Sequence, residues 1–306
     1  MRAVLLVETG SHAVTGLRLS GYAVSEVHGA HQLLEEVADR TLVMVDAGIM
    51  SGGFCEHARE RRTPVLGALQ AGSWEHLPRQ RRLADGSMLA WVPASRAVQY
   101  PMRQGMGVRI ISYRLTDERL GEVGKVYRLV TTLLNPRVAP ALSLGGLYHE
   151  RWEIEVALDE FKTHERVQRK VLRSKTPEGV VQERYGIFLA PYPVRVMLVQ
   201  AAAQAELDPA RLSFTDGLFH RCEMISQTLL LEPEASERGR QRLRSRMLQT
   251  ILPARQLRIN RREVKQVYNK YKPKKRDVLT PEPFKPHEQF LDFVKLFEPL
   301  TDEKGA

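Results

Sequence analysis

Four side chains near the middle of the chain, Tyr148, Arg151, Glu155 and Lys162, recur at intervals that put them on one side of an α-helix. At about 100° per residue they fall within an arc of roughly 60°. Beside them runs an apolar stripe of Leu147, Ile154, Leu158 and Phe161. Residues 147–164 are therefore expected to form one helix, with one flank in a core and the other turned to something polar. A carboxylate in that company can bind a hard divalent cation, while a guanidinium, an ammonium and a phenol hold phosphate oxygens. Such a set suits a metal held beside a phosphodiester, the chemistry of nucleic-acid strand cutting. The same residues also fit a solvated helix face, on which Arg151 and Glu155 are an i,i+4 pair worth roughly a few tenths of a kcal/mol.

A second carboxylate stands where an open sheet presents its ligands. Residues 41–45 (TLVMV) are a continuous apolar run of strand length, closed by Asp46 and then Gly48. Asp46 is thus expected at the C-terminal end of a buried strand, and a helix N-cap or turn role explains it equally well. Ahead of it, residues 2–8 read as a buried strand, 9–12 as the turn that follows, and 31–39 as a helix with Leu33, Leu34 and Val37 inward. Between Asp46 and Glu155 the pattern changes to short alternating runs, with strands expected at 65–70, 88–92, 108–115 and 126–134 and a hairpin turn at Asp85-Gly86. Arg109 and Arg128 in these strands are candidates for DNA contact, although exposure on the solvated face is the expected reading.

Past the central stretch, Arg173-Ser174-Lys175 is a candidate phosphate-contact cluster, and Thr176-Pro177-Glu178 has the form of a helix start. Residues 180–205 read as buried helices interrupted by Pro191 and Pro193, and 216–230 as a closing helix. Beyond Pro233 the composition looks linker-like, with a short amphipathic helix at 288–297. These shifts divide the chain into 1–62, 63–136, 137–232 and 233–306.

With 306 residues and 43% hydrophobic content, the chain can bury a full core. It has no run of 18 uncharged apolar residues and no adequate signal-peptide segment, so a cytoplasmic, nucleoid-associated protein without membrane contact is expected. Cys55 and Cys222 make neither a disulfide framework nor a metal cluster and are expected to be buried thiols. Gly52-Gly53 and Gly145-Gly146 are turn signals without phosphate-loop spacing. From Arg238 to Arg276 there are fifteen Lys and Arg against a single acid, Glu263, in a chain whose net charge is +10, so the remaining body is mildly acidic. A basic tail on an acidic body suits a polyanion partner whose affinity falls steeply with salt, though such runs are also often only solvated.

The spacing Tyr148-x2-Arg151-x3-Glu155-x6-Lys162 resembles the signature of DDE transposases of the insertion-sequence-four family, and the order of segments from residue 1 to about 230 is similar as well. The resemblance implies an α/β fold with a ribonuclease H-like core, an all-β insertion between the second and third acids, and a helical C-terminal region. It implies Asp46 and Glu155 as catalytic, metal-holding acids, Mg²⁺ as the cofactor with Mn²⁺ as a substitute, and Tyr148, Arg151, Lys162, Arg173 and Lys175 as DNA contacts. The implied partners are double-stranded DNA at transposon ends and target, with a homodimer on DNA as an assembly it allows. Two departures matter. Ala47-Gly48-Ile49 follows Asp46 where the family has Arg-Gly-aromatic, and the family's first acid belongs to a strand preceding the one matched by 2–12, so the core is expected to be incomplete at its N-terminus, like that of a truncated transposase, with neighbouring strands unpaired. Glu8, at a strand end, is a poor stand-in, and Asp39 falls at a helix end. A strand-cutting transposase and a non-catalytic DNA-binding remnant both stay open.

Overall fold

The computed structural model describes residues 1–69, 77–95, 100–115, 126–151, 154–155, 157–158, 172–228, 233–252 and 297–299. The fold is mixed α/β. Strands β1 (Arg2–Val7) and β2 (Val14–Ser20) form an antiparallel hairpin, and α1 (Glu26–Leu34) packs on it. Next come β3 (Val43–Val45), α2 (Gly52–Glu60), β4 (Val65–Ala68), β5 (Arg79–Arg82), β6 (Met88–Val92), β7 (Met106–Leu115) and β8 (Val126–Thr131). These strands make one sheet in the order β3-β4-β8-β7-β6-β5, and β9 (Phe297–Pro299) adds to β7. Among the described strands only β3 and β4 run parallel; the other pairs are antiparallel. The sheet is continuous from β3 through the β-rich segment, because β4 pairs with β3 on one side and β8 on the other.

Alternation along the central strands covers both faces of this sheet. Val65, Val108 and Val130 face a core shared with Leu34 of α1 and Phe54 and Cys55 of α2. Leu66, Ile111 and Leu129 face the opposite core, closed by Ala141 and Leu144 of α3 (Ala141–His149). Among the described residues β1 pairs only with β2 and β3 only with β4, so each has one open edge. Val4 of β1 packs against the core that holds Val43 and Val45, so the hairpin and the larger sheet share that core. Contrary to the buried strand expected at 2–8, no residue of β1 is fully buried, since it has one neighbouring strand and one covering helix.

The C-terminal helices are α4 (Pro177–Leu189), α5 (Tyr192–Gln204), α6 (Phe214–Thr228) and α7 (Pro233–Met247). The start at Thr176 is as the sequence indicates: its side chain accepts from Gly179 N at 3.2 Å, and Pro177 and Glu178 occupy the first turn. Val194, Leu198, Ala201 and Ala202 of α5 form a third core with Phe214, Leu243 and Met247. The expectation of burial fails for α4, which has no buried residue. The run Pro177–Gln204 is long and apolar enough, by length and composition alone, to cross a membrane, as core helices of soluble proteins also are. In α5 that apolarity is used inside the bundle.

Other expectations need correcting. The region after Pro233 begins with a regular helix instead of a linker, because Leu243 and Met247, one turn apart, insert into the third core. Gly52-Gly53 opens α2 rather than a turn; a Cβ on Gly53 would sit 2.5 Å from Tyr100 O, so the glycine allows the loop to pass close to the helix. The helix expected at 31–39 runs Glu26–Leu34, capped by Ser25, which leaves Asp39 in an exposed turn. Two strands carry no clear signal in the sequence: β2, whose Gly16 admits Leu33 of α1, and β5, whose Arg-Gln-Arg-Arg is exposed throughout. Arg109, expected on the solvated face, is fully buried, whereas Arg128 is exposed. Cys55 is buried and its thiol is pushed up to about 12 by desolvation; Cys222 is exposed. Of the helix expected at 288–297, residues 288–296 lie outside the described residues, and Phe297 opens β9 instead.

A histidine stack joins α1 to α2. The His31 ring lies between Tyr100 (centroids 3.8 Å, planes 6° apart) and His57 (5.1 Å, 9°), and meets Phe54 edge-on. His31 Nδ1 is 2.9 Å from His57 Nδ1, and His57 Nε2 is 2.5 Å from Glu35 Oε1. The hydrogen bond from His57 holds the Glu35 carboxyl below its usual range, so His57 donates through Nε2 and, when neutral, accepts at Nδ1 from His31. Burial foremost, then His57 and His28, takes His31 from 6.5 to about 4. The folded protein keeps this ring neutral while the unfolded chain protonates below about 6.5, so stability is lost as pH falls from 6.5 to 4 and levels off beneath it. The loss from this ring is at most about 3 kcal/mol. In urea unfolding at pH 7 and pH 4.5, His31→Phe, which keeps the stack and removes the titration, should show a clearly smaller acid-induced drop in midpoint. An unchanged drop would assign the acid sensitivity to other groups.

Candidate active site

The site is built where α3 ends against the end of β3. Asp46 follows Val45 directly, and its own carbonyl accepts from Ile49 N and Met50 N, which turns the chain sharply and leaves the carboxylate in solvent. From α3, the Tyr148 hydroxyl donates to Val45 O at 3.1 Å. Arg151 NH1 reaches Asp46 Oδ1 at 2.8 Å, and its guanidinium lies 5.5 Å from the centre of the Tyr148 ring. Two signature residues, a hundred positions downstream of β3, thus touch the strand end that carries the second acid.

The single helix expected over 147–164 is not what the described residues form. α3 stops at His149 with Glu150 as its C-cap. Bonds of the i→i−3 type, Glu150 N to Leu147 O, Arg151 N to Tyr148 O and Ile154 N to Arg151 O, tighten the backbone before helical geometry resumes at Ile154 and Glu155. Tyr148 and Glu155 therefore belong to successive helical stretches with Arg151 at the join. Glu155 is half-buried. Lys162 lies outside the described residues.

Arg173 and Lys175 are exposed in the loop before α4. The Glu183 carboxylate accepts from Arg173 N at 3.0 Å and from Ser174 N at 3.1 Å, and these bonds hold it below its usual range. The two cations are thereby organised on α4, with no contact to Asp46, Tyr148 or Arg151 among the described residues. Glu8 is also separate: its carboxylate accepts from Ser11 N at 2.8 Å and closes the β1–β2 turn.

His149 was not legible as part of this site. Its ring packs against Tyr113 and Tyr127, and its Nε2 is 3.1 Å from the Tyr113 hydroxyl. Burial first, and Arg151 second, lowers it to about 4, so it is a neutral imidazole directly behind the guanidinium. Nothing in the spacing marks it, because the residue between two signature positions points to the sheet instead of the solvent.

The Transposase DDE domain family model matches residues 1–190 of this chain. The chain is also 32% identical over 240 residues to the transposase InsG for insertion sequence element IS4 of Escherichia coli (strain K12), covering 77% of this chain and 52% of that protein. The chain belongs to the DDE transposases of the insertion-sequence-four family. It spans about half the length of that relative. DDE transposases use divalent metal ions, and Asp46 suits such an ion: it is a hard oxygen donor, 62% exposed, against which the cationic Arg151 already sits. Among the described residues, no group of three His, Cys, Asp or Glu side chains could hold a metal.

Proposed function

We propose that this chain is the DNA-cutting part of a DNA transposase, binding double-stranded insertion-sequence ends and cleaving and rejoining their strands with Mg²⁺ or Mn²⁺ held by Asp46 and Glu155. The observation that carries the reading is the Arg151–Asp46 contact, supported by the Tyr148–Val45 bond beside it. The β1–β2 hairpin with β3 and β4 is then the ribonuclease H-like part of the fold. When bound, the metal polarises a phosphoryl oxygen and makes water or a DNA hydroxyl a better nucleophile. Arg151 balances the Asp46 charge, and a guanidinium there is suited to a phosphate oxygen as well as to the carboxylate. The Tyr148 hydroxyl is committed to Val45, so this residue acts on DNA through its ring and by orienting Arg151.

A second reading, DNA binding without cleavage, is supported by the Arg151–Asp46 ion pair, in which a cation already occupies the carboxylate proposed to hold the metal. Nicking of end-sequence duplex decides between them. Cleavage that requires Mg²⁺ or Mn²⁺ and disappears in Glu155→Gln supports the transposase reading. Salt-sensitive binding with no cleavage in either metal supports the second, and cleavage that persists in Glu155→Gln would remove Glu155 from the site.

A further inference from the structure

The largest fully buried side chain among the described residues is a cation, Arg109 of β7, with no exposed surface. Its guanidinium spends its donors on three separate parts of the chain. Nε donates to Ser87 Oγ at 2.7 Å, NH1 to Ala139 O at 2.6 Å and Leu133 O at 3.3 Å, and NH2 to Asp85 Oδ2. Asp85 in turn sits at the tip of the β5–β6 hairpin, where its Oδ1 accepts from Ser87 N and Oγ. Its Oδ2 reaches across 56 residues to accept from Ala141 N at 2.9 Å. That amide is the first of α3, whose N-cap, Pro140, offers no side-chain bond.

A helix start needs acceptors for its first amides, and a local Ser, Thr, Asp or Asn would have satisfied this one. Here the acceptor comes from a distant hairpin and is locked by a buried guanidinium that also grips the two carbonyls leading into the helix. Burial is the largest influence on Arg109 and works against its charge, so this arrangement is a costly way to gain stability alone. What it fixes is the position of α3 along its own axis. α3 is a rod of nine residues, about 13 Å long. Its far end carries Tyr148 to Val45 and leads straight to Arg151 on Asp46.

We propose that Asp85 and Arg109 are positioning residues for the transposase site: they set the start of α3 and thereby the place at which Tyr148 and Arg151 meet β3. This rests on the proposed function for its kinetic arm only. The test uses the full chain with Arg109→Lys, which keeps the charge and most of the stem but not the fork, and Asp85→Asn, which keeps an acceptor for Ala141 N. In hydrogen exchange, peptides covering 141–151 should lose protection selectively in Arg109→Lys, with those covering β3 and β4 unchanged, and Asp85→Asn should recover much of it. Below the melting temperature, metal-dependent nicking by Arg109→Lys should fall on the order of 100-fold through kcat, the cost of a misplacement of about 1 Å. End-DNA affinity, to which Tyr148 and Arg151 contribute in the proposed function, should fall far less than the rate. Uniform loss of protection across both sheets, or full kcat in a folded Arg109→Lys protein, would overturn the proposal. Absence of nicking in the unsubstituted chain would count against the transposase reading while the exchange arm still decides this one.

Discussion

Asp46→Asn is expected to abolish metal-dependent strand cleavage, lowering its rate by about 10³-fold or more, without weakening the fold. The carboxylate is 62% exposed and its charged contact among the described residues is Arg151, so the ion pair contributes at most about 1 kcal/mol to stability. Removing the carboxylate leaves the Arg151 guanidinium, 23% exposed, with partial access to water and the Tyr148 ring still beside it. In the metal-bound enzyme the same oxygen is proposed to be a ligand, and a neutral amide is a much weaker donor to a hard cation. The two roles predict opposite outcomes for two measurements. Thermal unfolding without metal should shift little, whereas Mn²⁺ binding, followed by the paramagnetic signal of the free ion, should weaken by at least an order of magnitude. On the proposal that Asp46 and Glu155 share one ion, the double variant Asp46→Asn/Glu155→Gln should be no less active than either single one. Multiplying defects would mean that the two carboxylates serve separate steps and that the shared site is wrongly drawn.

What could be read in advance follows the physics of each element. Strands β4, β6, β7 and β8 are buried on alternate faces, so their apolar runs announce them, and Asp85-Gly86 marks its hairpin because Gly86 adopts φ +82°. Asp46 at the strand end and the Thr176 helix start were legible because each depends on neighbours in sequence. Arg109 was misjudged for the opposite reason. Its burial is offset by Asp85, Ser87, Leu133 and Ala139, none of them local to it, and no pattern within β7 distinguishes an inward cation from an outward one. The interruption of the helix after His149 was likewise hidden, since the 3.6-residue period of the sequence runs on past the i→i−3 bonds at Glu150 and Arg151. His149 shows the limit most plainly, as its partners Tyr113 and Tyr127 come from two different strands.

Truncation after residue 232, which composition suggests as a clean way to remove a basic tail, is expected instead to unfold the C-terminal bundle. The cut would delete α7 and with it Leu243 and Met247, 2% and 3% exposed, which close the core formed by Val194, Leu198, Ala201 and Phe214. Burying two such side chains contributes about 1.5–3 kcal/mol each, and the remaining helices would expose an apolar face that α7 now covers. Arg246–Glu223 and Arg244–Gln200, which tie α7 to α6 and α5, would go too. Loss of DNA binding in that truncation would therefore say nothing about the tail's charges. The informative variant replaces Arg255, Arg258, Arg261 and Arg262 by Gln and leaves the chain full length. If those cations pair with phosphates, affinity should fall at low salt, and the slope of log K against log salt should flatten by about 0.9 for each phosphate no longer neutralised. Far-UV circular dichroism should be unchanged. On α7 itself, Arg238 and Arg242 are exposed one turn apart and free of ion pairs among the described residues, whereas Arg240 is held by Glu237 at 2.6 Å. A slope that flattens in Arg238→Gln/Arg242→Gln but not in the four-residue variant would move the phosphate contacts from the tail to the surface of this helix.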